Sequence, residues 1–152
     1  MSLLRRLIYA AIGIAIVFAI TWPTLPTTVG KAGTASPVEV VTAFDKLVME
    51  DRKPREAVEK YVAETFVDHN SDSGGTRDGL LKLLEGQGKW AVDQLQREVL
   101  HRFSADDTVA IHQRIVVRPG EPAMAVVDIF RVDKGRIVEH WDVVQPAGEQ
   151  AR

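Results

Sequence analysis

Three side chains able to move protons fall close together near the end of the chain: Asp128, His140 and Asp142. They sit in a stretch from Met124 to Gln145 that reads as two strands, each rich in β-branched and aromatic residues, around Asp133-Lys134-Gly135. Gly135 supplies the positive φ that a short hairpin loop demands. A three-residue loop puts Val132 opposite Arg136, Phe130 opposite Val138, Asp128 opposite His140 and Val126 opposite Asp142. Because strand side chains alternate with period two, all of these share one face with Met124 and Val144. A two-residue loop instead sets Asp128 against Trp141 and parts the two aspartates, so the three-residue loop is the one expected. Two carboxylates and an imidazole on an apolar surface are costly unless paired or used.

The chemistry such a group suits is acid-base work. Burial raises a carboxylate pKa and a second carboxylate raises it further, which tunes an aspartate to remove a proton beside a carbonyl. His140 is placed to hold or donate a proton between the acids. The competing structural reading is an Asp128–His140 ion pair that fixes the hairpin, with Asp142 bonded to backbone. Upstream, His69-Asn70 in a glycine-rich loop are candidates for ligand contact or for capping that loop. Phe130 joins the acids on their face. His112, beside Arg114, is a candidate pocket-wall residue, and Trp90 a candidate floor. His101 reads as a solvated or edge position. No metal site is expected, because His69, Asp128, His140 and Asp142 have no local ligand spacing. There is no G-x-S-x-G or equivalent for serine hydrolysis.

Composition narrows the class. The 152 residues are 45% hydrophobic, enough for one domain plus a short extension. No cysteine is present, which excludes disulfides, thiolate chemistry and cysteine-based metal centres. The net charge of −2 is uneven: Arg5, Arg6 and Lys31 precede Ser36 with no acid, leaving 16 basic against 21 acidic side chains beyond. An acidic domain without a basic stripe argues against nucleic acid as a partner.

Residues 1–22 have the layout of a signal anchor or signal peptide. Arg5-Arg6 precede an uncharged apolar run from Leu7 to Ile20, closed by Thr21-Trp22-Pro23. With Leu3, Leu4, Thr21 and Trp22 the run approaches spanning length, so residues 3–22 are expected to hold the membrane with the domain on the exported, periplasmic or extracellular side. If the segment is cleaved, the domain is secreted. Residues 23–35 form a Pro/Gly-rich linker.

The domain spans 36–146, followed by a tail at 147–152. Ser36-Pro37-Val38-Glu39 fits a capping box, and Val40, Val41, Phe44, Leu47 and Val48 follow at helical spacing. Pro54 opens a second helix through Val62, Phe66 to Gly75 reads as a polar loop, and a third helix starts near Thr76. From Gln96 the period falls to two: Val109, Ile111, Gln113, Ile115 and Val117 lie on one side of a strand, Ala110, His112, Arg114 and Val116 on the other. Three helices followed by four tightly linked strands predict an α+β fold with helices packed on an antiparallel or mixed sheet. Helices in so short a chain cover one sheet face. The other, carrying Val127, Ile129, Trp141 and Val143, is a candidate homodimer interface.

The sequence resembles the SnoaL-like branch of the nuclear-transport-factor-2-like superfamily. The likeness rests on Tyr61 to Asn70 followed by glycines, and on Val127-Asp128-Ile129-Phe130-Arg131-Val132 through Gly135 to Gln145, and it extends over about residues 37–146. Asp68 and Ser71 depart from the glutamine and proline that commonly flank the His-Asn pair. The resemblance implies a cone of helices and curved sheet around a pocket. It also implies a polyketide-cyclase-like reaction without a cofactor, in which an aspartate, here Asp142 beside Asp128, deprotonates a small hydrophobic carbonyl compound for aldol cyclisation or isomerisation. His69 and Asn70 then lie at the pocket rim. The other reading the fold allows is a non-catalytic, membrane-anchored ligand-binding or assembly module.

Overall fold

A computed structural model of the chain describes residues 35–86 and 95–148. Helix α1 (Pro37–Asp45) starts on the expected capping box: the Ser36 side chain accepts from the Glu39 amide, and Glu39 accepts from the Ser36 amide at 2.7 Å. Its last turn widens into a π-helical turn, Lys46–Glu50. Helix α2 (Pro54–Tyr61) begins on proline, and α3 (Arg77–Leu84) is capped by the Thr76 hydroxyl.

Five strands follow or interleave: β1 (Val62–Asp68), β2 (Gln96–Ala105), β3 (Thr108–Val116), β4 (Met124–Asp133) and β5 (Arg136–Pro146). They form one sheet in the order β1-β5-β4-β3-β2. The β2-to-β5 meander is antiparallel as the alternation predicts, and β1 joins the edge parallel to β5. Strand β1 falls where the sequence reads as the end of a helix and a polar loop. Its buried positions, Val62, Phe66 and Asp68, include a carboxylate, so the apolar alternation that announces a strand is broken. Its hydrogen bonds come from β5, some 70 residues on, which no local pattern reveals.

The β4–β5 hairpin corrects the expected loop. The loop has two residues, Lys134 and Gly135, both at positive φ (49° and 77°), and Asp133 pairs with Arg136. A two-residue loop alone would part the acids onto opposite faces. An irregularity between Arg131 and Val132, where Val138 is the extra residue on β5, shifts the register by one and restores them. The observed partners are therefore Asp128 with Asp142, Phe130 with His140 and Val126 with Val144. The predicted face holds for Asp128, Phe130, His140 and Asp142, with partners displaced by two residues. Beside the turn it fails, because Ile137 takes the inner position opposite Val132 expected of Arg136, and Val138 becomes the extra residue.

All three helices lie on one side of the sheet. Val40, Val41, Phe44 and Val48 from the first helix, and Ala57 and Val58 from the second, pack on Val62, Phe66, Val109, Ile111, Phe130, Val132 and Ile137. Each buried aliphatic or aromatic side chain there contributes about 1.5–3 kcal/mol. On the other face Phe103, Val143 and Val67 are exposed. Among the described residues no helix is long and apolar enough to cross a membrane. The segment expected to do so, 3–22, lies outside them, as does Trp90.

Among the described glycines, Gly79 stands closest against its neighbours. A Cβ built on it would stand 1.6 Å from the Ser73 carbonyl oxygen, because α3 rests directly on the 3₁₀ turn Ser71–Ser73. Gly79→Ala must push backbone against backbone. The expected loss is about 1–3 kcal/mol, as for other overpacked sites. Urea unfolding of the variant against the parent checks it.

Candidate functional site

The site is built where the hairpin, β1 and β3 meet under the helices. His140, buried on β5, is its centre. Its Nδ1 lies 2.8 Å from Asp68 Oδ1 on β1, and its Nε2 lies 3.2 Å from Asp128 Oδ1 on β4. Phe130 stacks against the ring with centroids 4.8 Å apart. Asp68 and His140 are direct register partners in the parallel pair, and the His69 amide donates to the His140 carbonyl at 2.8 Å. An imidazole with an acidic acceptor on each nitrogen is held as a double donor.

Electrostatics agree with the geometry. Burial opposes the charged imidazole, but the hydrogen bonds and charges of Asp128 and Asp68 outweigh it, and the His140 pKa is pushed up to about 9. Burial alone would raise Asp68. The His140 bond and charge, with the Asn70 amide, hold it below its ordinary value instead. His140 is thus an imidazolium at neutral pH and has no lone pair with which to accept a proton.

The chain of contacts continues. Gln113, buried on β3, donates its amide to Asp128 Oδ2 and accepts from Arg97 Nε on β2. Arg97 in turn pairs with Asp45 of α1 at 2.9 Å. Sequence reading left Asp68, Gln113, Arg97 and Asp45 out of the site. Gln113 showed the one legible signal, a polar residue in an otherwise apolar strand stripe.

Asp142 stands apart from this chain. Its Oδ2 accepts from Asn70 Nδ2 at 2.7 Å, and among the described residues no protein donor reaches Oδ1. Asn70 itself is oriented by backbone: its Oδ1 accepts from the Asp72 amide at 2.7 Å, which fixes which end of the amide faces Asp142. Burial pushes the Asp142 carboxyl up from its ordinary value. The charges of Asp128 and Asp68 act with it, and His140 and the Asn70 bond act against it.

Asp142, Asp128, His140, Asn70 and Phe130 all line one cavity of about 120 Å³, closed by Leu80, Leu83, Leu84 and Val48 from the helices and by Ile115, Val126 and Val144 from the sheet. Arg97, Gln113 and Asp45 complete its polar wall. Five of the expected site residues are thereby brought together. His69 and His112 are not among the lining residues. His69 stacks on Trp141 at 4.8 Å and bonds Glu139 at 2.9 Å, while His112 meets His101 on the outer sheet face. Among the described residues, no group of three or more histidine or acidic side chains is arranged to hold a metal ion.

A family model described as a SnoaL-like domain matches residues 38–140. Solved structures with the same fold include IdmH, a candidate polyketide cyclase from Streptomyces antibioticus. It is 20% identical, covers 73% of this chain and 93% of its own, and superposes with a TM-score of 0.58. A candidate polyketide cyclase from Acidithiobacillus ferrooxidans is 19% identical over 76% of this chain and 92% of its own, with a TM-score of 0.56. An NTF2-like protein of unknown function from Mesorhizobium loti is 22% identical over 72% and 90%, with a TM-score of 0.58. At these identities the likeness establishes the fold. No curated protein matches the chain.

The buried triad sets a pH dependence. His140 has a folded pKa of about 9 against an unfolded value near 6.5, so its contribution is complete below pH 6.5 and is lost as pH rises through 9. Stability should fall by roughly 3 kcal/mol across that window. Urea midpoints measured from pH 6 to 9.5 should show the decline in the parent and not in His140→Gln.

Proposed function

The chain belongs to the SnoaL-like domain family, and we propose that it removes a proton next to the carbonyl of a small, largely apolar molecule, with Asp142 as the base and no cofactor. The observation that carries this reading is the Asp142 carboxylate itself. It lines the cavity, one oxygen is oriented by Asn70, the other meets no donor among the described residues, and burial raises its pKa towards the range where a carboxylic base works best. Asn70 has a second amide hydrogen beyond the one given to Asp142, and it is the donor placed to meet the oxyanion that develops on the substrate.

His140 has a positioning role in this scheme. Its two donors are committed to Asp68 and Asp128, so it holds the cavity floor and supplies a fixed positive charge beside the base. The wall is predominantly aliphatic, and its cations, Arg97 and His140, are already matched by Asp45, Asp128 and Asp68. Such a pocket suits a neutral ligand. Enolate formation there leads to aldol cyclisation or to double-bond isomerisation, the chemistry that the polyketide-cyclase relatives suggest. Tethering through residues 3–22 on the exported side of a membrane, and pairing of two copies across the outer sheet face around Trp141, complete the proposal.

A second reading is a membrane-tethered ligand-binding or assembly module. The polar chain from Asp45 to Asp68 is bonded largely within itself, with the buried Asp68 Oδ2 the one oxygen along it that meets no partner among the described residues, and this favours that reading.

Exchange of α-hydrogens for deuterium in a panel of neutral diketones, followed by proton NMR, separates the two. The parent protein should accelerate exchange for at least one compound, with a rate that rises with pH through the raised Asp142 pKa. Asp142→Asn, which keeps the Asn70 contact nearly isosteric, should cut the rate by about 10²-fold or more without lowering the unfolding midpoint. Exchange unchanged by the substitution would sink the assignment of the base.

A further inference from the structure

We propose that His101 and His112 form a two-imidazole binding site for a divalent transition ion of the Cu²⁺ and Zn²⁺ class on the outer face of β2 and β3. The two rings are direct cross-strand partners, with Nδ1 of each 3.2 Å from Nδ1 of the other. Two nitrogens bound to one ion at about 2.0–2.1 Å stand about 2.9 Å apart at a right angle and about 3.4 Å apart at the tetrahedral angle. The observed separation lies between these values. The two rings stand nearly parallel, 6° apart with centroids 5.5 Å apart, so each must turn about its side-chain torsions to direct its lone pair onto a shared ion.

The juxtaposition is made by a backbone irregularity. From Gln96↔Val116 to Val99↔Gln113 the pairing of β2 with β3 is regular, and continued unchanged it would set Leu100 opposite His112 and turn His101 to the helix side. The shift between Val99 and His101 leaves Leu100 as the extra residue and brings His101 round to face His112. Arg102, next along, then points to the helices, where it pairs with Asp45 at 2.9 Å. Phe103 follows on the outer side and lies flat against the His101 ring, centroids 5.7 Å apart, which limits the orientations of the imidazole.

Neither ring is claimed by an acid. Among the described residues their one polar partner is each other, whereas His69 is bonded to Glu139 and His140 lies between Asp68 and Asp128. The chain has four histidines and no cysteine, and among the described residues these two are the imidazoles without an acidic partner. Imidazole favours Cu²⁺ and Zn²⁺ over Mg²⁺ or Ca²⁺, with Cu²⁺ bound more tightly. Water supplies the remaining positions. The pocket lies on the opposite face, so the site is independent of the proton-transfer reading.

The test is equilibrium dialysis of the untagged, full-length chain in mild detergent against Cu²⁺ and Zn²⁺, with Cu²⁺ electron paramagnetic resonance on the loaded protein. One ion per chain is expected, with hyperfine structure from two equivalent nitrogens. His101→Ala and His112→Ala should each weaken binding by at least about tenfold, and His69→Gln should leave it unchanged. Both rings lie off the core, and circular dichroism verifies that the variants fold. Absence of stoichiometric binding overturns the site, as does binding that survives both alanine variants or falls equally with His69→Gln. In that case the contact is an N–H···N hydrogen bond between two strands.

Discussion

The ion triad Asp68–His140–Asp128 is the contact on which the rest of this structure depends. It ties the β4–β5 hairpin to β1, a strand some 70 residues earlier in the chain, through one imidazole. Buried charge is tolerated only when it is matched, so His140 cannot be placed without both acids, and the edge strand β1 cannot leave without stranding a charge. Because His140 is held as a cation, it is removed from proton acceptance, and the reaction proposed above therefore takes Asp142, one step along the same strand face, as its base. The same charge moderates the rise in the Asp142 pKa caused by burial and by the neighbouring carboxylates. Fold stability and the tuning of the cavity therefore share one interaction.

Two register irregularities divide labour between the faces of the sheet. In β5 the extra residue Val138 keeps Asp128, His140 and Asp142 on the helix side despite a two-residue turn. In β2 the extra residue Leu100 sends Arg102 to the helices and His101 to solvent. A one-residue slip moves every later side chain to the other face, so a single bulge does more to distribute polar groups than many substitutions. The inner face thereby gathers a continuous polar chain from Asp45 through Arg97, Gln113, Asp128 and His140 to Asp68. The outer face keeps its histidines, Trp141 and exposed valines for whatever meets that surface.

Much of this was legible before any coordinates. The capping box at Ser36 and Glu39, the proline at the start of α2, the start of a third helix near Thr76 and the alternation in β3 each declare a local structure through local hydrogen bonds and side-chain periodicity. The shared face of Asp128, Phe130, His140 and Asp142 was also legible, because period-two alternation survives a register error of two residues. Strand β1 was not, because its ladder is parallel and non-local and one of its buried positions is an aspartate. Asp68 was hidden with it. Gln113 stood out in its stripe, but its partners Arg97 and Asp45 come from a different strand and a helix, and nothing in their spacing couples them.

By itself the sequence determined an α+β domain with a polar cluster on the apolar face of its last hairpin and a resemblance to the SnoaL-like family, because propensity, capping and alternation are written residue by residue. The tertiary structure alone decided which acid His140 belongs to, which carboxylate faces the cavity with an oxygen to spare, and which two histidines meet across strands. Those are questions of pairing between segments, and pairing is settled by where bulges fall and which charges can be matched in the interior, neither of which a single stretch of chain contains.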